Sequence, residues 1–270
     1  MKSVTNRPVV LSIAGLDPSG GAGITADVKT IAALDCFPAA VITSITFQNT
    51  QGVFGASHQT ATVVRSQVEP IVRDFQVAAA KTGMLPTVEI IQEVARTFRE
   101  LPLPPPVVDP VMRATSGGDL IEESALEVLT REIFPLARLV TPNIPEAERL
   151  AGFGVQSVDA MKEAALAIQS LGAKAVLVKG GHLAVQAERS RSQMPEAVDI
   201  VLEESGSFTE LRSPFHHVGN VHGSGCTLSA AIASYLARGV DLVSAIDQAK
   251  RYVTERIRLA QRIGRGARPL

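Results

Sequence analysis

The run His222-Gly223-Ser224-Gly225-Cys226-Thr227 leads straight into an Ala-rich stretch of helical length. Small residues at a helix start let backbone N–H groups point outward. The helix dipole adds partial positive charge, so the run can cradle a phosphate. No Lys follows the glycines, so this is not a Walker A loop; a tight packing turn is the other reading. Cys226 falls in the first helical turn, where a thiol pKa is lowered and some thiolate exists near neutrality. It reads equally as a small, buried packing cysteine.

Six further groups of polar or glycine residues follow apolar runs. They are Asp17 with Gly20-Gly21-Ala22-Gly23, then Gln48-Asn49, Gly83-Met84, Asp109-Pro110, Asn143 with Glu146, and Lys179-Gly180-Gly181. Any one of them alone reads as a plain turn. In an open parallel sheet, however, ligands bind at the carboxyl ends of the strands, and six groups at one edge read as a site.

The elements that must position these residues alternate along the chain. Val9 to Ala14 is a strand, Ala22 to Leu34 a helix, Ala39 to Thr46 a strand and Thr60 to Phe75 a helix. Val77 to Lys81 is a strand, Thr87 to Arg99 a helix with Pro86 just inside its start, and Val107 to Asp109 a strand. Then come a helix at Ile121 to Ile133, a strand at Leu139 to Thr141, helices at Glu146 to Ala151 and Val158 to Leu171, and a strand at Ala175 to Lys179. Helices at Gly225 to Arg238 and Leu242 to Arg262 close the chain. Strands that read as continuous apolar runs indicate a parallel sheet covered on both faces. Residues 184–221 break the rhythm and are expected to form a mobile segment, with a hairpin at Val198 to Leu202 and Phe208 to Leu211. The proline-dense Leu101 to Pro106 is a stiff connection and not a linker, so one domain over residues 1–270 is expected.

The 270 residues are 46% hydrophobic and 20% charged, which excludes disorder. A formal charge of −1 argues against a nucleic-acid surface spread over the whole molecule, though not against a local anion pocket. No apolar run reaches the roughly 18–20 residues of a membrane span, and the first residues lack a secretory signal's pattern. A cytoplasmic enzyme or binding protein is expected. Two cysteines cannot build a disulfide framework, and five scattered histidines offer no metal-ligand spacing; His58 and His182 are read as loop residues.

Taken together, the motifs resemble the hydroxymethylpyrimidine and phosphomethylpyrimidine kinases of thiamine synthesis, in the ribokinase-like superfamily. The resemblance runs from about Val9 to Ala260. It is carried by the Gly15-Leu16-Asp17-Pro18-Ser19-Gly20-Gly21-Ala22-Gly23 run, Gln48-Asn49-Thr50, Lys81-Thr82-Gly83-Met84 and Val108-Asp109-Pro110-Val111-Met112. Thr141-Pro142-Asn143 with Glu146, Val178-Lys179-Gly180-Gly181-His182 and the Cys226 loop complete it. It implies a three-layer α/β fold that moves the γ-phosphoryl of ATP to the hydroxymethyl group of 4-amino-5-hydroxymethyl-2-methylpyrimidine, then to the monophosphate. It also implies roles. Gln48 would read the aminopyrimidine edge, with Gly15, Asp27, Met84 and Val111 forming the rest of that pocket. Asp109, Asn143 and Lys179 would order ATP and its phosphates, and Glu146 would serve Mg²⁺, unless it only complements a helix dipole. Cys226 would take the hydroxyl proton beside the amides of Gly223, Ser224 and Gly225. The expected partners are the pyrimidine, ATP and, in a homodimer, a second copy.

Two departures stand out. The resemblance leads one to expect a Lys where Gly219 stands and another where Thr115 stands, with Arg113 at an otherwise apolar position. Arg113 meets a substrate phosphate or is a solvated loop charge. Two rival functions remain at this stage: a pyridoxal kinase, and a non-catalytic pyrimidine or nucleotide sensor.

Overall fold

The apolar runs become strands, and the intervening helices cover both faces of one sheet. A computed structural model describes residues 7–112, 121, 123–181 and 196–270. In chain order the elements are β1 (Val9–Leu16), α1 (Gly23–Ala33), β2 (Phe37–Asn49), β3 (Gly52–His58), α2 (Ala61–Asp74), β4 (Val77–Thr82), α3 (Val88–Glu100) and β5 (Val107–Val108). There follow α4 (Glu123–Glu132), β6 (Leu139–Val140), α5 (Ile144–Ala151), α6 (Val158–Ser170), β7 (Val176–Val178), β8 (Glu196–Leu202) and β9 (Phe208–Pro214). The last elements are β10 (Val221–His222), α7 (Ser224–Ala237), α8 (Leu242–Leu259) and β11 (Arg268–Pro269).

The sheet has nine strands in the order β3-β2-β1-β4-β5-β6-β7-β8-β9. The run from β2 to β7 is parallel, while β3, β8 and β9 join antiparallel at the two edges. Adjacent strand residues serve opposite cores. Leu11, Ile13, Val108 and Val140 pack with Val64, Ile90 and Val94 on one face. Val10, Val107 and Leu139 pack with Ile31, Leu228, Ile232 and Ile246 on the other. Both faces are dry, so the strands carry no polar alternation.

Four expectations need correction. First, β3 was not expected: β2 runs on through Asn49 and folds back in a hairpin, so Gln48 lies inside a paired strand and His58 ends β3. Second, Pro86 precedes α3, because Thr87 is its N-cap and accepts a hydrogen bond from the Ile90 N–H. Third, α5 starts two residues earlier than Glu146, with Asn143 as its cap. Fourth, the hairpin expected within the mobile segment is present as β8 and β9, but it extends the edge of the main sheet through pairing of β8 with β7. Residues 184–195 of that segment, and His182, lie outside the described residues. No described helix is long and apolar enough to cross a membrane.

Candidate active site

Asp17, just beyond β1, builds the first loop of the site. Its Oδ1 accepts hydrogen bonds from the Ser19 N–H at 2.8 Å and the Ser19 hydroxyl at 2.7 Å. Its Oδ2 accepts from the N–H groups of Ala22 at 2.9 Å and Gly21 at 3.2 Å. Burial works against the charge on Asp17, but the bonds from His222 and Ser19 outweigh it and hold the carboxyl below its ordinary pKa. The loop then packs face to face with the His222–Cys226 loop. A Cβ on Gly21 would enter the His222 ring, and one on Gly223 would strike the Gly21 carbonyl. Gly223 also holds a left-handed φ of 87°, which favours glycine. These glycines are therefore needed for close approach, whatever else they do.

His222 joins this loop to Gln48. Its Nε2 lies 2.8 Å from Asp17 Oδ2 and 2.8 Å from the Gln48 side-chain amide. A carboxylate only accepts, so Nε2 carries the proton that Asp17 receives. The Gln48 nitrogen faces that ring nitrogen and its oxygen faces the Thr46 hydroxyl at 3.2 Å. The Thr46 proton is already given to the Leu16 carbonyl at 2.9 Å, so the donors balance with the amide turned over, its oxygen toward His222 and its NH₂ toward Thr46. A register shift in the β2–β3 ladder between Phe47 and Gln48 aims the side chain there. Oxygen and nitrogen each keep one further bond for a ligand. A cleft of about 420 Å³ opens beside Gln48 and His222.

Beneath these loops lies an ion pair closed off from solvent. Lys81 Nζ donates to Asp27 Oδ2 at 2.8 Å, as does the Ser12 hydroxyl at 2.6 Å, and both charged residues have no exposed surface. Burial opposes the Lys81 charge, yet Asp27, Cys226 and Asp109 nearby hold its pKa above the ordinary value. Burial pushes the Asp27 carboxyl up, against the pull of Lys81 and Ser12. Asp27 Oδ1 is one of two fully buried side-chain atoms without a partner among the described residues; Thr82 Oγ1 is the other. Gly15 and Met84 are in contact, since a Cβ on Gly15 would reach the Met84 sulfur at 2.9 Å. Met84 is buried, whereas Val111 keeps some exposure.

The phosphate end forms around Lys179. Its Nζ donates to Asp109 Oδ1 at 3.1 Å, and the Thr141 and Ser229 hydroxyls point at the same carboxylate from 3.4 and 3.5 Å. Burial disfavours the Lys179 charge, but Asp109 and Glu146 more than restore it and raise its pKa. A Cβ on Gly225 would lie 3.3 Å from Lys179 Nζ and 3.5 Å from Asp109 Oδ2. The first turn of α7 thus abuts a partly exposed cation. Asn143 and Glu146 form a reciprocal cap of α5: Glu146 N–H donates to Asn143 Oδ1 at 3.0 Å, and Asn143 N–H to Glu146 Oε2 at 2.8 Å. Burial is the main reason Glu146 is pushed up to about 7. Among the described residues no three His, Cys, Asp or Glu side chains could hold a metal together. Asp109 and Glu146 fit a hydrated ion and do not form a closed cage.

Cys226 differs from expectation. Although the residue keeps some exposure, burial dominates its thiol and pushes it up to about 11. Lys81 and the Gly23 N–H pull the other way and do not compensate, so the group is a thiol at neutral pH. Desolvation outweighs the helix start here. Arg113 and Thr115 lie outside the described residues, so their readings stay where the sequence left them. Gly219 lies on the cleft with a left-handed φ of 80°, where a lysine would be strained. Sequence reasoning gave no role to Lys81 or to the His222 ring. A lysine in the apolar strand Val77-Ala78-Ala79-Ala80-Lys81 was the available signal, because a buried ammonium needs a partner.

Comparison with known proteins places the chain in a family. Residues 17–270 match the family described as phosphomethylpyrimidine kinase. A hydroxymethylpyrimidine/phosphomethylpyrimidine kinase from Haemophilus influenzae is 40% identical over 266 residues, 98% of this chain and 97% of that one. A thiamine biosynthesis bifunctional protein from Geobacter sulfurreducens is 45% identical over 264 residues, 98% of this chain. The chain spans only 52% of that longer relative. Among solved structures, an ADP complex of Bacillus subtilis pyridoxal kinase superposes with a TM-score of 0.85 at 34% identity, covering 97% of this chain and 96% of that one.

Proposed function

The chain belongs to the phosphomethylpyrimidine kinase family, and on that premise we propose that it phosphorylates 4-amino-5-hydroxymethyl-2-methylpyrimidine and then its monophosphate, using ATP, in thiamine biosynthesis. The observation that carries this reading is the contact between the first turn of α7 and the Lys179–Asp109 pair. There the amides of Gly223, Ser224, Gly225 and Cys226 and one ammonium converge on the place where phosphoryl charge would develop. Phosphoryl transfer depends mostly on positioning and charge stabilisation, and this turn supplies both.

At the other end, Gln48 would pair with the aminopyrimidine edge, its amide already oriented by His222 and Thr46. The orphaned Asp27 Oδ1 would accept from the substrate's amino group once the entering ring displaces the groups that cover it, satisfying a bond the protein leaves unmade. Gly15, Met84 and Val111 would give the flat ring its apolar walls. Cys226 would act as base only through its small thiolate population, which the nearby Lys81 charge supports. A Mg²⁺ ion carried on the nucleotide phosphates would neutralise their charge, with Asp109 and Glu146 holding its waters and Asn143 fixing Glu146. One domain would carry the whole reaction. A second copy of the chain would cover Phe47 and Phe54, which are 54% and 71% exposed on the β2–β3 hairpin at the sheet edge.

Pyridoxal kinase is the second reading, favoured by the superposition on the Bacillus subtilis enzyme. The identities of 40–45% to thiamine-pathway proteins, against 34% to that enzyme, weigh for the pyrimidine. A coupled ADP-release assay with the free pyrimidine alcohol, its monophosphate and pyridoxal decides. Turnover of both pyrimidines well above pyridoxal is expected. Pyridoxal as the best acceptor would reverse the assignment, and nucleotide binding with no turnover of any acceptor would leave a sensor.

A further inference from the structure

Three arginines converge on the cleft beside Gln48 and His222, and none belongs to the machinery described so far. Arg262, Arg265 and Arg268 all line it, as does Gly219. They are carried by residues 260–270, a segment the fold ties down firmly. β11 pairs with β10 in parallel, placing Arg268 beside Val221 and Pro269 beside His222. The Ala267 N–H donates to the Thr50 carbonyl at 2.8 Å, the Arg268 N–H to the Asn220 carbonyl at 2.8 Å, and the Gly266 N–H to the Thr50 hydroxyl at 3.2 Å. A Cβ on Gly264 or Gly266 would collide with Thr50, so glycines at these two positions let the segment lie against the β2–β3 turn.

The charge on this segment is not neutralised locally. Among the described residues none of the three guanidinium groups pairs with a carboxylate. Arg262 reaches the Arg265 carbonyl at 3.5 Å and Arg268 the Ala260 carbonyl at 3.3 Å, which leaves most of their donors available. The chain as a whole carries a net charge of −1, so this concentration of positive charge is local and does not reflect a basic protein. Planar guanidinium forks match phosphate oxygens two at a time, and a concave wall focuses their field.

We propose that this cleft is a phosphate-binding site, held by Arg262 and Arg265 with Arg268 behind them. Resting on the kinase reading above, its ligand is a phosphate of one of the two phosphorylated reactants, the pyrimidine monophosphate or the nucleotide. Gln48 and His222 line the same cleft, so an anion held there lies beside the residue that would read the pyrimidine and next to the turn that begins at Gly223. Such a site holds a reactant by its phosphate, which in the monophosphate is also the group that accepts the second transfer.

The test uses inorganic pyrophosphate as probe, titrated calorimetrically into the full chain at low and at high salt. The wild type should bind it, more weakly as salt rises. Arg262→Ala/Arg265→Ala should bind at least about tenfold more weakly, whereas Arg262→Lys/Arg265→Lys should keep part of the affinity. Equal melting temperatures confirm that the exposed substitutions leave the fold intact. Kinetics on the same variants separate the two sources. A KM raised for the monophosphate alone assigns the site to the pyrimidine, and one raised for ATP alone assigns it to the nucleotide. No pyrophosphate binding by the wild type, or equal binding by the Ala variant, overturns the site. Unchanged KM values for both reactants overturn its link to them. A wild type that binds pyrophosphate through these arginines but phosphorylates no pyrimidine would sink the kinase reading and leave the anion site standing.

Discussion

If Cys226 takes the hydroxyl proton, phosphorylation of the alcohol must speed up as pH rises. Burial places its thiol at about 11. At pH 7 only about one molecule in 10⁴ then carries the thiolate, a deficit of about 5 kcal/mol. The sign follows from the raised pKa: the neutral form dominates throughout the accessible range, so activity is gained with pH and never lost. From pH 7 to pH 9 the thiolate share grows about a hundredfold, and kcat for the alcohol should follow it. The monophosphate oxygen is largely deprotonated already near pH 7, so kcat for that acceptor should stay nearly flat. Coupled ADP release at saturating nucleotide gives both profiles. Cys226→Ala should remove the slope and, at pH 9, lower the alcohol rate by roughly 10²–10⁴-fold. Cys226→Asp, ionised across the range, should give a flat profile for both acceptors. Alkylation of the thiol supplies an independent value, because the other cysteine, Cys36, is fully buried. A flat wild-type profile with the alcohol, or a slope that survives Cys226→Ala, would refute the role and leave the loop amides and Lys179 as the mechanism.

Gln48→Leu should cost on the order of 1–3 kcal/mol in kcat/KM for the pyrimidine, through unmet ligand bonds, with the KM for ATP unchanged in the same assay. Lys81→Met strands the buried Asp27 charge and should lower stability by about 3–5 kcal/mol in urea unfolding. Adding Asp27→Leu should recover much of that loss, and no recovery would mean the pair is not coupled as drawn. Gly223→Ala must adopt φ near 87° and drives its Cβ at the Gly21 carbonyl, so a stability loss of about 1–3 kcal/mol and slower turnover are expected. Wild-type melting and kinetics in that variant would mean the loop is slack.

Much of the fold was legible because its strands are buried on both faces. Val107 and Val108 serve opposite cores, so each strand reads as an unbroken apolar run between loops with helical spacing. The edges were harder. β3 carries Gly52, Gly55 and an exposed Phe54, and its pairing depends on a ladder irregularity that no propensity encodes. The candidate residues could be picked out in the sequence because they follow successive apolar runs. Their wiring could not: Gln48 and His222 stand 174 positions apart, and His222 and Asp17 stand 205 apart. For Cys226, position in the first helical turn pointed to a lowered pKa, whereas burial in the folded site reverses it, with the Asp27 and Asp109 charges adding to the rise and Lys81 opposing it. The arginines of residues 260–270 carry no motif, and it is the pairing of β10 with β11 that sets Arg268 beside Val221.

The central claim is that one site carries out two successive transfers to a pyrimidine. Incubating the alcohol with excess MgATP and following the products by phosphorus NMR tests it most directly. A monophosphate signal should rise and then give way to the coupled pair of a diphosphate ester, with two ADP formed for each pyrimidine consumed. A product that stops at the monophosphate, or pyridoxal consumed while the pyrimidine is left untouched, would contradict it.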